Sequence, residues 1–124
     1  MALVVPTPGK ILRPTVRQNV EINSIVIVSL TAPREKIWGQ LLLLNPTGVT
    51  VRGIELDSFD DLVRQIREQE EATAGMTTAF YPMHRVERIA LDEPSGSIPS
   101  LADRFWQKLG ITIQEYLALE PPLA

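Results

Sequence analysis

Few residues of this chain could carry out chemistry, and their spacing assembles no common catalytic set. The 124-residue sequence has no cysteine and one histidine, His84, which excludes a thiolate zinc site, a cysteine nucleophile and any site with two imidazoles from one chain. It also lacks a glycine-rich phosphate loop and the G-x-S-x-G pattern of a serine nucleophile elbow. We therefore expect a protein that is not an enzyme and that has no metal and no cofactor.

Two groups of carboxylates are the remaining candidates for cation binding. Asp57, Asp60 and Asp61 resemble part of a calcium-binding loop, but the ligands that should follow them are missing. Acidic residues at the start of a helix also stabilise that helix through its dipole, which explains this group without a metal. Asp92 and Glu93 are adjacent on a predicted loop, where neighbouring acids are usually solvated. Neither group predicts a site.

Composition describes a single domain with a hydrophobic core of its own. Apolar residues make up 44% of the chain, and a domain of this size buries about two-thirds of its unfolded surface. The formal charge of −3 argues against a general polyanion binder. No apolar run approaches the roughly 20 residues that span a bilayer, so we expect a cytoplasmic protein without a membrane partner.

The sequence of residues 1–23 predicts an extended N-terminal arm. Three prolines remove backbone donors and favour extended geometry before them: Pro6, Pro8 and Pro14. The arm is also the most basic stretch of the chain. Residues 1–57 carry six basic and four acidic side chains, and residues 58–124 carry six basic and eleven acidic ones. This asymmetry suits head-to-tail contact between subunits, although most charge asymmetries are only solvated surface and that explanation is preferred.

Five segments rich in β-branched and apolar residues predict strands. They are Ser24–Leu30, Ile37–Leu44, Val49–Leu56, Thr77–Tyr81 and Val86–Leu91. The first two are apolar on both faces, which is typical of strands that are covered on both sides. Gly39 and Gly53 interrupt two strands and predict a bend or a close backbone approach. The tetrapeptide between the second and third strands predicts a hairpin, with Gly48 as its left-handed residue.

Three helices are predicted around this sheet. The first, Ser58–Glu71, is inserted between the third and fourth strands, begins with a capping serine and ends before Gly75. Leu101–Leu109 and Thr112–Leu119 form a C-terminal helical hairpin after the loop that starts at residue 92. This hairpin also invites a helix-turn-helix interpretation, but its second helix has no lysine or arginine to contact phosphates. We therefore expect the hairpin to cover a face of the sheet.

Two stretches resemble the Sm-like family of small SH3-like β-barrels, to which Hfq belongs. The second strand, GQLLLLN, places Gly39, Leu41, Leu44 and Asn45 at the spacing of the family's G-x-L/I-x-x-F-D motif. The stretch MHRVERI has a histidine followed by apolar residues, as in the final turn and strand of Hfq. The resemblance covers about residues 24–91. It implies a five-stranded barrel, assembly through the fourth and fifth strands, and RNA binding at Asn45, His84 and Arg85.

Three functions follow from these observations. The first is a non-enzymatic assembly or interaction module that forms a homo-oligomer or binds another protein, with Arg52, Arg85 and Arg88 as contacts to the acidic half of a partner. The second is an RNA-binding ring. The third is a small-molecule pocket near His84, although a lone histidine in a tight turn is usually a hydrogen-bonded structural group.

Overall fold

The computed structural model describes residues 19–70 and 75–119, and within these ranges the chain forms five strands and three α-helices. In chain order the elements are β1 (Ile25–Leu30), β2 (Glu35–Asn45), β3 (Gly48–Glu55), α1 (Phe59–Glu68), β4 (Thr77–Pro82), β5 (Val86–Leu91), α2 (Leu101–Leu109) and α3 (Ile113–Leu119). Two 3₁₀ turns, Leu56–Ser58 and Met83–Arg85, precede α1 and join β4 to β5. The predicted sheet with appended helices is confirmed. Residues 1–18 of the predicted arm lie outside the described ranges.

The five strands form one antiparallel sheet in the order β4–β3–β2–β1–β5. β4 and β5 lie at opposite edges and do not pair, so the sheet is not closed and the predicted barrel is not confirmed. Only the turn Met83–Arg85 separates these strands, and four residue steps span at most about 14 Å. A flat sheet would hold its outer strands about 19 Å apart. The sheet therefore has to curl.

A pair of facing glycines permits this curvature. Gly39 on β2 lies directly opposite Gly53 on β3. A Cβ atom on Gly39 would lie 2.5 Å from the Cα atom of Gly53, and a Cβ atom on Gly53 would lie 2.5 Å from the carbonyl oxygen of Trp38. A side chain at either position would therefore push the two strands apart. The close backbone approach that the sequence predicts at these glycines is confirmed.

The curled sheet has a core on each of its two faces. Seven buried aliphatic residues fill the inner face: Val26, Val28, Leu30, Ile37, Leu41, Val49 and Val51. The outer face carries Ile25, Trp38 and Ile54, and the helices pack over them. The sheet's own curvature thus covers one apolar face of β1 and β2, and the helices cover the other.

Aromatic contacts connect the helices to the outer face of the sheet. Trp38 is fully buried, and its ring centroid lies 5.1 Å from that of Phe59 on α1 and 6.0 Å from that of Phe105 on α2. The Phe105 ring in turn lies 5.7 Å from that of Tyr116 on α3. The C-terminal hairpin therefore covers the sheet, as predicted. No helix in the described ranges is long and apolar enough to cross a bilayer.

The caps of α2 and α3 agree with the sequence. The Asp103 N–H donates to the Ser100 hydroxyl at 2.9 Å, and Gly110 ends α2 in the left-handed conformation. At α3 the Thr112 N–H donates to the Glu115 carboxylate at 2.8 Å, and the Glu115 N–H donates to the Thr112 hydroxyl at 3.0 Å. These reciprocal bonds form the predicted capping box.

α1 begins after Ser58 as predicted, but the predicted capping bond and the predicted end at Glu71 are wrong. Ser58 is the last residue of the 3₁₀ turn. Its φ of −95° and ψ of 4° differ from the extended geometry of a capping residue, and its side chain accepts no capping hydrogen bond. Gln69, with φ 55°, ends the helix well before Gly75.

The left-handed conformation predicted for Gly48 is also wrong. This residue begins β3, and a Cβ atom there would lie 2.8 Å from Cε1 of Phe80.

Candidate functional site

The free edge of β4 is an unprotected surface for strand pairing. In the part of the chain that is described, β4 pairs with β3 on one side only. Natural sheets usually protect such an edge with charged side chains, because its unpaired backbone groups otherwise pair with another chain. β4 reads TTAFYP and contains no charged residue. Its Phe80 side chain is 51% exposed, and only Pro82 at its end interrupts the row of backbone donors.

β5 provides the second free edge of the sheet, and this edge carries charged side chains. β5 pairs only with β1 within residues 19–70 and 75–119, and it carries the exposed residues Glu87 and Arg88. Arg88 lies opposite Ser29 of β1 and forms no ion pair with any described residue. Its guanidinium group is therefore available to a partner.

Arg85 makes its hydrogen bonds within the chain. Its Nε donates to the Thr31 carbonyl at 3.0 Å, and its Nη2 donates to the Pro33 carbonyl at 2.8 Å and contacts the Glu35 carboxylate at 3.2 Å. The Thr31 N–H donates back to the Arg85 carbonyl at 2.8 Å. Arg85 therefore fastens the β1–β2 turn to the β4–β5 turn, a role that the sequence did not predict.

Asn45 also has an internal role. Its Oδ1 accepts hydrogen bonds from the Thr47 N–H at 2.9 Å, from the Thr47 hydroxyl at 2.6 Å and from the Gly48 N–H at 3.3 Å, which closes the β2–β3 hairpin. The Met83 N–H donates to the Thr47 carbonyl at 2.9 Å, so this hairpin lies against the turn that carries His84. The structure thus brings Asn45 and His84 to neighbouring turns, whereas the Arg85 guanidinium binds the β1–β2 turn.

The last predicted contact, Arg52, lies on the outer face of β3. Its Nη1 donates to the hydroxyl of Thr78 on β4 at 3.3 Å. Two acids of the carboxylate group at α1 are paired as well: Asp60 contacts Arg104 at 3.4 Å and Asp61 contacts Arg64 at 3.6 Å. No group of three metal-binding side chains occurs among the described residues.

Asp92 has a structural role that its sequence context does not predict. Its carboxylate accepts hydrogen bonds from the N–H groups of Leu101 and Ala102, each at 2.8 Å, and from the Trp38 indole N–H at 3.0 Å. Its own N–H donates to the Ile25 carbonyl at 2.9 Å. One carboxylate thus holds the start of α2 against the sheet.

A cleft of about 650 Å³ opens on the inner face, beside β4 and the β1–β2 turn. We call it the acidic cleft. It is lined by Glu35, Ile37, Gly53, Ile54, Glu55, Ser58, Gly75, Thr77 and Tyr81. Burial raises the pKa of the Tyr81 hydroxyl, and the negative charges of Glu35 and Glu55 raise it further, while Arg85 lowers it. The carboxylates of Glu35 and Glu55 therefore both contribute negative charge to the acidic cleft.

The acidic cleft does not include any of the side chains that the sequence suggested for binding. Asn45, His84, Arg52 and Arg88 are not among its lining residues. Arg85 is not a lining residue either, although it pairs with Glu35 and lowers the pKa of Tyr81. One sequence feature could have indicated this cleft. A polar residue lies at the same end of three neighbouring strands and on their inner face: Glu35 on β2, Glu55 on β3 and Thr77 on β4. No protein-family model, curated protein or solved structure matches the chain.

Proposed function

We propose that the protein is a non-enzymatic assembly module, built on an Sm-like barrel, that self-associates by pairing the β4 edge of one copy with the β5 edge of the next. The observation that carries this proposal is the uncharged free edge of β4. An edge with exposed Thr77, Thr78 and Phe80 and no charged residue lacks the usual protection against pairing. A second copy supplies the missing strand.

The positions of the two free edges favour a head-to-tail contact. Each copy offers one β4 edge and one β5 edge, at opposite ends of the strand order. A contact that joins unlike surfaces repeats from copy to copy and forms a ring when the rotation closes. Arg88 lies on the β5 edge without an ion pair to any described residue, so it is the cation best placed to contact an acidic group of the neighbouring copy.

Light scattering on a sizing column tests this proposal. We expect a mass several times 13.8 kDa. Arg88→Glu on β5 and Phe80→Lys on β4 should each lower this mass. The first reverses the charge that contacts the acidic group of the neighbouring copy, and the second places a charge on the uncharged edge. Lys108→Glu on α2 makes the same charge reversal away from both edges and should leave the mass unchanged. A monomer for the unmodified protein at micromolar concentration would end the proposal.

An RNA-binding ring is the second candidate, and one observation favours it. The hydrogen bond from Met83 to Thr47 places the turns that carry Asn45 and His84 side by side. Binding to a mixed RNA pool should then weaken steeply with added salt, by about one log unit per log unit of salt for each phosphate contacted, and His84→Ala should reduce it. The absence of binding at low salt would remove this candidate.

A further inference from the structure

We propose that the acidic cleft is a docking site for a cationic side chain, and that its occupant is the basic segment of the same chain, residues 1–18. This inference is independent of the proposed assembly. It concerns the inner face of the sheet, whereas the assembly concerns the two edges.

The residues that line the acidic cleft favour a positively charged ligand. Its ionisable side chains are Glu35, Glu55 and Tyr81, and the Tyr81 hydroxyl stays protonated at neutral pH. Ser58 and Thr77 add hydroxyl groups, and Ile37 supplies an apolar wall. A lysine or arginine side chain combines a charged head with an apolar stem, so it matches both parts of this lining.

One of the two carboxylates has no ion pair within residues 19–70 and 75–119. Glu35 contacts Arg85, whose remaining hydrogen bonds go to the Thr31 and Pro33 carbonyls. Glu55 forms no ion pair with any described residue. Its charge is therefore available to an incoming cation at the open side of the cleft.

The charge distribution of the chain supports residues 1–18 as the occupant. Residues 1–18 contain three cations, Lys10, Arg13 and Arg17, and no acidic residue. The other 106 residues contain nine basic and fifteen acidic side chains. The basic segment and the acidic cleft are therefore of opposite charge, and attachment to the same chain gives the segment a high effective concentration at the cleft.

The segment is also long enough to reach the cleft. The Asn23 N–H donates to the Leu41 carbonyl at 2.7 Å, so the chain meets β2 at that point. Ile37 on the cleft wall is four residues from Leu41 along β2, which is about 13 Å. Arg13 precedes Asn23 by ten residues, which span up to about 34 Å when extended.

Disulfide trapping in the full chain tests this docking, because the natural sequence has no cysteine. Thr15→Cys is combined with Ser58→Cys in the cleft, which leaves all cations and both carboxylates in place. The matched control combines Thr15→Cys with Gln107→Cys on the exposed face of α2. Mild oxidation should close an intramolecular disulfide in the first variant at least tenfold faster than in the control.

The charge dependence of the trapping rate is the second readout. Glu55→Gln should slow the disulfide about twofold to fivefold, as expected for a partly exposed ion pair. Glu87→Gln, on β5 and outside the cleft, should leave the rate unchanged. Equal rates in the cleft variant and the α2 control would overturn the proposal. A disulfide that forms only between molecules would overturn docking within one chain and indicate that a second copy supplies the segment.

Discussion

Replacing Asp92 tests whether one carboxylate joins the helices to the sheet. Asp92→Ala removes the acceptor of three hydrogen bonds, two from the start of α2 and one from the Trp38 indole. Losing a cap at a helix start costs about 1–2 kcal/mol, and a buried indole N–H without a partner costs about 1–3 kcal/mol. Because the lost bonds share one acceptor, we expect the free energy of unfolding to fall by about 3 kcal/mol.

Tryptophan fluorescence during urea unfolding measures this change. The chain has two tryptophans, and Trp106 is 55% exposed, so Trp106→Phe leaves the buried Trp38 as the reporter. Asp92→Ala should lower the urea midpoint in this background. Glu93→Ala changes the exposed neighbour, and a substitution at such a position should change stability by less than about 0.5 kcal/mol. A loss below that value for Asp92→Ala would refute the proposed role of the carboxylate.

Three further outcomes are expected. Gly39→Ala should lower the free energy of unfolding by about 1–3 kcal/mol in thermal denaturation, because its Cβ atom would meet the backbone of β3. Arg85→Ala should lower the urea midpoint, since it loses hydrogen bonds to Thr31 and Pro33, whereas Arg88→Ala should not. In an ultraviolet titration Tyr81 should ionise above the ordinary tyrosine pKa of 10.0, and Glu55→Gln should lower its pKa. Since folding raises this pKa, the corresponding stability is present below pH 10.0 and is lost as the pH rises through the folded-state value.

Local interactions explain which parts of the fold could be predicted from the sequence. The caps at Ser100 and Thr112 join residues only three positions apart, and both are formed as predicted. The apolar pattern of the strands and the close backbone approach at Gly39 and Gly53 likewise follow from local steric constraints. At Ser58 the local pattern was the same, but Ser58 belongs to a 3₁₀ turn, and its backbone geometry there leaves the hydroxyl without a capping hydrogen bond.

The long-range roles could not be predicted in this way. Arg85 bonds to residues 52 and 54 positions earlier, and Asp92 bonds to an indole 54 positions earlier. No sequence pattern identifies hydrogen-bond partners that are more than 50 residues apart. The acidic cleft could not be predicted for the same reason, because Glu35, Glu55 and Tyr81 line one cleft only after the sheet has curled. Sequence alone therefore predicted the elements but not the surfaces that they create.

The three-residue turn between β4 and β5 has a consequence for the symmetry of any edge-to-edge assembly. The turn is fastened on one side by the Met83–Thr47 bond and on the other by Arg85, so it holds the two free edges at a fixed angle. That angle sets the rotation from one copy to the next. A single rotation gives a single number of copies per closed ring, and therefore a uniform particle rather than a distribution of sizes.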